Sequence, residues 1–520
     1  MAEVLKNNIP EVSAEKFKPA KASDFLHDEK IQTKPRSYMR DAFSRFTKNK
    51  GSVVAAIIVL ILLLYAIIGP FFIPTSYTDA YVTDTDVTLY NYLPPKLFNG
   101  GGFWDGSQKQ KGISAATVAR YESYGIERGQ EAIISIKSRE EMGRTVYDLR
   151  VNSYLSINTI EKTLTYDQYS DLLKWQNENN LQLILPAVDA SLAVGYGNNK
   201  SIWFVSDIGG RPTYDENKNL IPAYYTYATE RYRNDRYDSE LRIASDPYLK
   251  GDTENGYCYC IVNVSAKGTN YVVRVNPYYY FMYKYGFEPR FAFGTEGAGY
   301  DIFTRLASGA RFSILFAIAV AAINMFVGAI YGAIEGYYGG VLDLAMERFS
   351  DILSALPSMV ITVLLNLHLS GTVGPTVALL YAFILTGWIG MAGLVRMQFY
   401  RFKNQEYVLA ARTLGSNDWR VMWKHIFPNS LGTIITSCVL IIPGVIFSET
   451  SLTYLGIINL DSPTQASIGA MLSAGQDKLT TFPFVIAFPA VFLALLEISF
   501  NLFGNGLRDA FNPTLRGSEG

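Results

Sequence analysis

The chain has 520 residues and a net charge of −1, with 49% of its residues hydrophobic and only 18% charged. This balance leans away from an ordinary soluble enzyme, and the near-neutral total leaves no electrostatic footprint for nucleic acid. The length allows more than one folding unit.

In chain order, residues 1–35 are polar, with scattered Lys, Glu and Pro and no sustained period, and are expected to form a tail. Residues 36–73 hold a basic lead-in and the uncharged run Ser52–Ile73, which as a helix is about 33 Å long, enough to cross a bilayer core. The run is too long and starts too late for a cleaved signal peptide, so it is expected to stay as an anchor.

Residues 74–300 contain nothing able to span a membrane and read as a separate α+β domain. Thr165–Gln168 has the pattern of a capping box opening a helix through Asn179, with Tyr169, Leu172 and Leu173 on one face. Leu181–Leu185 reads as a strand, and Tyr257–Ser265 with Tyr271–Val275 as a hairpin. Cys258 and Cys260 lie two apart on that strand and share a face, which favours buried thiols over a disulfide that needs a bent backbone. The domain is rich in tyrosine, including Tyr224, Tyr225, Tyr227, Tyr278, Tyr279 and Tyr280. Such rings suit either a contact surface or the domain's own core.

Five further spans are expected at Phe312–Ile334, Met346–Leu369, Pro375–Val395, Leu431–Leu452 and Pro483–Leu507, within a membrane core of residues 301–507; residues 508–520 form a C-terminal tail. Gly328, Gly332 and Gly336 recur every four residues, a spacing that permits close helix approach in lipid. Lys and Arg crowd the segment before the first span and the loop 396–429, so both termini and that loop are expected in the cytoplasm. Residues 74–300 then lie outside the cell, on a multi-pass protein of the plasma membrane.

Glu497 sits mid-span, where a carboxylate normally faces protein or water, and with Asn501 and Glu449 it is a candidate for the wall of a translocation route. For Glu449 a cap is the competing reading, because Ser448, Thr450 and Ser451 suggest a helix end. Three histidines in the chain give no His-based metal cluster, and no Gly-rich phosphate loop with its Lys-Ser/Thr is present. No cofactor is expected in this chain.

The cytoplasmic loop carries Glu406-Tyr-Val-Leu-Ala-Ala-Arg-Thr-Leu-Gly415, then Ser416-Asn-Asp-Trp and His425-Ile-Phe-Pro428. The pattern predicts a short helix ended by a left-handed Gly415, a second helix capped by Ser416 or Asn417, and Pro428 at the entry to the fifth span. Tyr407, Ala411 and Leu414 are expected on one side of the first helix, and the small Ala410 and Ala411 allow close docking of a partner.

This loop resembles the EAA loop of ABC importer permeases, matching it at Ala410, Ala411, Gly415 and Pro428 and departing from it at Leu409, His425 and Phe427. Glu406, one turn before Leu409, stands where it can replace the motif's carboxylate. Phe293-Gly-Thr-Glu296, Gly299-Tyr-Asp301, Arg305, Gly309-Ala-Arg311, Glu449–Gly456 and Asn501–Ala510 resemble the C-type (OppC/DppC) permeases of oligopeptide and dipeptide importers. The resemblance covers about 36–95 and 291–516 and fails over the insertion at about 96–289. It implies an all-α polytopic membrane domain of six transmembrane helices with an inserted extracellular α+β domain. It further implies a second, B-type permease, two ATPase subunits that use ATP and Mg, an extracellular substrate-binding protein and a short-peptide cargo. Glu406, Tyr407, Ala410, Ala411, Leu414, Gly415 and Pro428 would be the residues that couple to the ATPase, and this chain would perform no covalent chemistry. Nickel or another small solute is the alternative cargo within the family. An ion-coupled carrier would need a buried relay of titratable groups, and only Glu497 lies well inside a span. An enzymatic insertion would have to work without histidine.

Overall fold

The computed structural model describes residues 38–71, 90–98, 104–205 with short gaps, strand segments between 222 and 275, 276–460 and 466–511. Helix α1 (Tyr38–Lys48) gives way at Asn49 to α2 (Lys50–Ile68), whose start is capped by Asn49 Oδ1 accepting from Ser52 N at 3.3 Å. Ala55, Val59, Leu62 and Ala66 form the buried stripe of α2, while Ile57, Leu60, Ile61 and Leu64 are exposed. A helix apolar on every side, with one stripe packed, belongs against lipid.

The second span, α5 in the order of the chain after α3 (Tyr166–Asn179) and α4 (Pro277–Tyr285), runs from Ile302 to Tyr338. At 37 residues it is about 55 Å long, well beyond the expected Phe312–Ile334. Asp301 caps it, accepting from Thr304 N at 3.1 Å and Phe303 N at 3.3 Å. Gly328, Gly332 and Gly336 lie against the backbone of α8 (Pro375–Phe402), and a Cβ at Gly328 or Gly336 would fall 2.7 Å from the carbonyl of Trp388 or Arg396. The glycine spacing is therefore a packing device.

The third span departs from expectation. Instead of one helix over Met346–Leu369, α6 (Gly340–Ser354) and α7 (Ser358–Val373) meet at a bend of 72°. Pro357 disfavours helical backbone at the residue before it and brings no N–H of its own. Asp343 and Glu347, on one side of α6, are drawn to Arg396 at the end of α8, which turns α6 away from the line of α7. The loop helix α9 (Glu406–Thr413) precedes α10, which runs unbroken over Asp418–Tyr454, with α11 (Ile468–Gln476) and α12 (Phe484–Phe511) completing the chain. Among the described residues five helices are long and apolar enough to cross a membrane, or six when the bent pair counts as one.

Between α2 and α5 lies a lobe of strands and helices. Strands β1 (Ser107–Ile113), β2 (Ile133–Glu141) and β3 (Arg144–Asn152) form an antiparallel sheet in the order β1-β3-β2. A second sheet joins β4 (Ile160–Leu164), β5 (Ile184–Leu185), β6 (Ile261–Ser265) and β7 (Gly268–Val275), with β7 paired to the other three. The capping box forms as expected, Thr165 N donating to Gln168 Oε1 at 3.0 Å and Gln168 N to Thr165 Oγ1 at 3.4 Å. Tyr169, Leu172 and Leu173 are buried by α3 against β7. The hairpin is shorter at its first strand: Tyr257–Cys258 pairs with Ala187–Asp189, and the hairpin proper begins at Ile261. Only Ile184–Leu185 of the expected strand over 181–185 is extended pairing. Cys260, Tyr224 and Tyr225 and the tail 1–35 lie outside the described residues.

The tyrosines that are described correct one reading. Tyr154, Tyr169, Tyr271, Tyr278 and Tyr279 are buried in the lobe's core, Tyr169 stacking on Tyr271 at 5.2 Å. These rings fill the interior and are not a contact surface. Lys96 is buried beneath them, its ammonium 4.9 Å from the centre of Tyr154 and 5.7 Å from that of Tyr278. Burial lowers its pKa, and Glu288 pulls the other way.

The α5–α8 contact generates a test. Gly332→Val inserts bulk against the Ala392 backbone and should cost about 1–3 kcal/mol or more. Gly390→Val on α8, where nothing lies within 4 Å, should leave the unfolding temperature in detergent almost unchanged. Equal shifts for the two variants would remove the packing role.

Candidate functional site

The short helix α9 ends as the sequence predicts. Gly415 has φ of +81°, Ser416 N donates to Ala411 O at 3.1 Å and Gly415 N to Arg412 O at 2.9 Å, the paired bonds of a Schellman stop. Asn417, not Ser416, caps the next helix, its Oδ1 accepting from Arg420 N at 2.9 Å.

One expectation is corrected here. Ala411 is buried with Val408 on the inner side of α9, whereas Tyr407 and Leu414 point outward, Leu414 with 86% of its surface exposed. The helix settles on its own chain through Val408 and Ala411, and Leu414 follows the turn that Gly415 forces. Glu406 and Ala410 are also exposed. Pro428 stands in the first turn of the α-helical span Phe427–Tyr454, as expected, and a short α turn and a widened π turn at Val421–Ile426 lead into it, so that the helix as a whole runs from Asp418. A proline ring meets the carbonyl of the residue four before it, and a π turn opens the ladder at that place. Asn429 then donates from Nδ2 to His425 O at 2.8 Å and to Tyr407 Oη at 3.3 Å, tying α10 back to α9. Partial burial pushes the Tyr407 phenol upward from its ordinary pKa, and the Asn429 bond acts the other way.

The outer side of the loop carries Leu409, Tyr407, Leu414 and Trp419 exposed together with Arg412 and Arg420. Its inner side is fixed by residues that the sequence reading left without a role. Tyr337, at the end of α5, hydrogen-bonds Asp418 through Oη at 2.5 Å, and the Arg412 guanidinium lies 4.8 Å over its ring. One side chain thus holds both arms of the helical loop. Close by, Arg396 Nε donates to Asp343 Oδ1 at 2.7 Å and its Nη1 to Glu347 Oε1 at 2.9 Å, with Glu335 Oε1 3.7 Å away. Tyr400 also hydrogen-bonds Asp343, and Lys403 Nζ donates to Gly336 O at 2.9 Å. The signal for this cluster was two acids four apart on α6, a spacing that puts them on one helix face.

The candidate wall residues fall in two different environments. Glu449 is fully buried where α5, α10 and α11 meet, accepting from Ser313 Oγ at 2.7 Å and Ser467 Oγ at 3.0 Å, with Thr450 and Thr453 hydroxyls at 3.4 Å. The helix continues past it to Tyr454, so it is not a terminal cap. Glu497 is half-buried on α12, and its buried Oε1 has no hydrogen-bond partner among the described residues. Asn501, one turn on, is exposed and donates to Glu497 O at 2.9 Å.

Gly415→Val should strain the left-handed turn by about 1–2 kcal/mol. Amide exchange over residues 416–420 should then accelerate while the spans keep their protection, and Gly415→Asn should behave nearly as wild type. Unchanged exchange in the valine variant would mean that the stop does not set the loop.

Comparisons with known proteins bear on this geometry. Residues 324–517 match the family model described as binding-protein-dependent transport system inner membrane component, and residues 37–95 match that of the N-terminal TM domain of oligopeptide transport permease C. The chain is 43% identical to the oligopeptide transport system permease protein OppC of Bacillus subtilis over 224 residues, 43% of this chain and 72% of that protein. It is 39% identical to the dipeptide transport system permease protein DppC of the same organism, covering 43% of this chain and 69% of that one. The OppC protein of Haemophilus influenzae is 40% identical, over 42% of this chain and 70% of its own length.

Proposed function

The chain belongs to the C-type permeases of oligopeptide and dipeptide transport systems, and from that premise we propose that it forms half of the membrane channel of an ATP-driven importer of short peptides. A B-type permease supplies the other half, two ATPase subunits bind ATP and Mg, and a substrate-binding protein delivers cargo from outside. The termini and the loop 396–429 face the cytoplasm, and the lobe faces the opposite side.

The observation that carries the coupling role is the exposed apolar face of α9 and its turn. Leu414 at 86% and Trp419 at 63% exposure stand on a helical loop held rigidly from behind by Tyr337 and Asn429. A large apolar residue so exposed beside two arginines has the composition of an interface centre. Tyr407, Leu414 and Glu406 present the docking surface, Ala410 allows close approach, Ala411 and Gly415 shape the loop from within, and Pro428 fixes the π turn behind it. When the ATPases close on ATP, they move this loop, and the bend at Pro357 with the prolines inside α10 and α12 lets the spans change their angles. Glu497 and Asn501, on a surface that this chain leaves open, line the route for a peptide, whereas Glu449 serves it by joining three helices.

Leu414→Asp tests the docking face. It should leave the chain's abundance in the membrane intact and lower both ATPase co-purification and peptide uptake by roughly 10- to 100-fold, the range of a lost interface anchor. Full co-purification would reject this face as the motor's seat.

The lobe is assigned to docking the substrate-binding protein. Support comes from its place on the outer ends of α5 and α12 and from β2, whose residues are exposed on both faces of the sheet beyond Ile133. Replacing about Lys96–Pro289 by a flexible linker should preserve assembly with the ATPases while weakening uptake at low binding-protein concentration. Unaltered uptake and unaltered affinity for that protein would dismiss the docking role.

A further inference from the structure

Among the described spans, three carry a breaking point: Pro443 inside α10, Pro489 inside α12, and the 72° bend between α6 and α7. α5 has none. Its 37 residues, about 55 Å, contain no proline, and its glycine face at Gly328, Gly332 and Gly336 lies against the backbone of α8, which stiffens its second half. Both ends of α5 are held by specific side-chain contacts. At the cytoplasmic end Tyr337 grips Asp418 at 2.5 Å and carries Arg412 over its ring. At the other end Arg305 Nη1 lies 3.2 Å from Glu296 Oε1 in a pair with less than a tenth of either side chain exposed. Glu296 is in turn joined to the base of the lobe, its carbonyl accepting from Tyr92 N at 3.2 Å. Besides its seat at the start of α12, the lobe is thus fastened to a span that touches the helical loop and has no proline or bend between its two ends.

We propose that α5 is a transmembrane rod that moves the lobe with the cytoplasmic loop, so that the nucleotide state of the ATPases is displayed on the outer face of the transporter. The binding protein meets a lobe whose position reports whether the motors are open or closed. This rests on the function proposed above and adds a property of the inserted domain. The bent and proline-bearing spans supply the relative motion, and α5 carries it outward as a rigid displacement.

The test uses the complete reconstituted transporter with spin labels on unnatural amino acids at Lys174, exposed on α3, and at Leu367, exposed on α7 beyond the bend. The separation of the labels should shift between the nucleotide-free complex and the complex trapped with ATP and vanadate. Glu296→Gln, which removes the charge of the outer fastening at nearly constant size, and Tyr337→Ala, which removes both the Asp418 bond and the ring under Arg412, should each shrink that shift by at least half. ATP hydrolysis and peptide uptake are measured on the same preparations. A complex that hydrolyses ATP and imports peptide with one label separation in both states overturns the rod. So does a shift that survives both substitutions undiminished. A preparation that assembles with no ATPase and imports nothing would instead overturn the functional reading, and the rod with it.

Discussion

The close backbone approach of α5 and α8 is the contact on which the rest of the membrane core depends. In lipid no hydrophobic gain distinguishes helix from tail, so packing and polar contacts must provide association. Three glycines on α5 let the carbonyls of Trp388, Ala392 and Arg396 come nearer than any side chain would allow. The phase of that contact fixes where Arg396 stands, one turn beyond Ala392, and hence where α6 can lie. Asp343 and Glu347 reach a guanidinium placed by the glycine seam, and the turn at Gly339 and Gly340, both at positive φ, gives α6 its direction.

Two polar groups inside this core are tied to junctions of helices. Glu449 collects hydroxyls from α5, α10 and the residue before α11, and replaces with hydrogen bonds what it loses in hydration. Asn429 donates from its side-chain amide to the His425 carbonyl in the π turn. Glu497 is the contrasting case, a carboxylate with an unpartnered oxygen beside an open helix face. A group of that kind is stable in a membrane only where another protein surface or water meets it.

Much of this was legible in the sequence because the signals were local. Apolar runs located the spans, the capping box located α3, and Gly415 located the stop of α9 with its handedness. What escaped was set by contacts distant in sequence. The acids of α6 find their partner in Arg396, about fifty residues on. Tyr337 lies beyond the expected end of its span at Ile334, and its hold on Asp418 and Arg412 joins residues about eighty apart. The outward turn of Leu414 follows from Val408 and Ala411 packing inward, which periodicity alone does not choose. Pro428 does open the α-helical span, but the π turn that joins it to Asp418 had no local signal. The tyrosines of the lobe had two physical uses, and burial decided for the core.

The neck of the lobe accounts for where the family resemblance stops and resumes. Thr295 N donates to Leu93 O at 2.9 Å, Tyr92 N to Glu296 O at 3.2 Å and Lys96 N to Phe291 O at 2.8 Å, so the outgoing and returning strands run side by side. Thr295 Oγ1 accepts from Leu93 N at 2.8 Å and is hydrogen-bonded to Tyr90 O. Tyr92 stacks on Phe482 at 4.5 Å and Phe293 on Phe488 at 4.2 Å, which seats this ladder on the start of α12. A chain whose ends are already clamped together pays little further closure entropy as its loop grows, since that cost rises only logarithmically with length. Nearly two hundred residues can therefore be inserted beyond the ladder without disturbing the spans beneath it. The same clamp makes the lobe more than a tethered passenger. Tyr90 packs on Phe281 at 5.3 Å inside the lobe while Tyr92, two residues on, packs on the membrane core, so one short turn is shared by both cores.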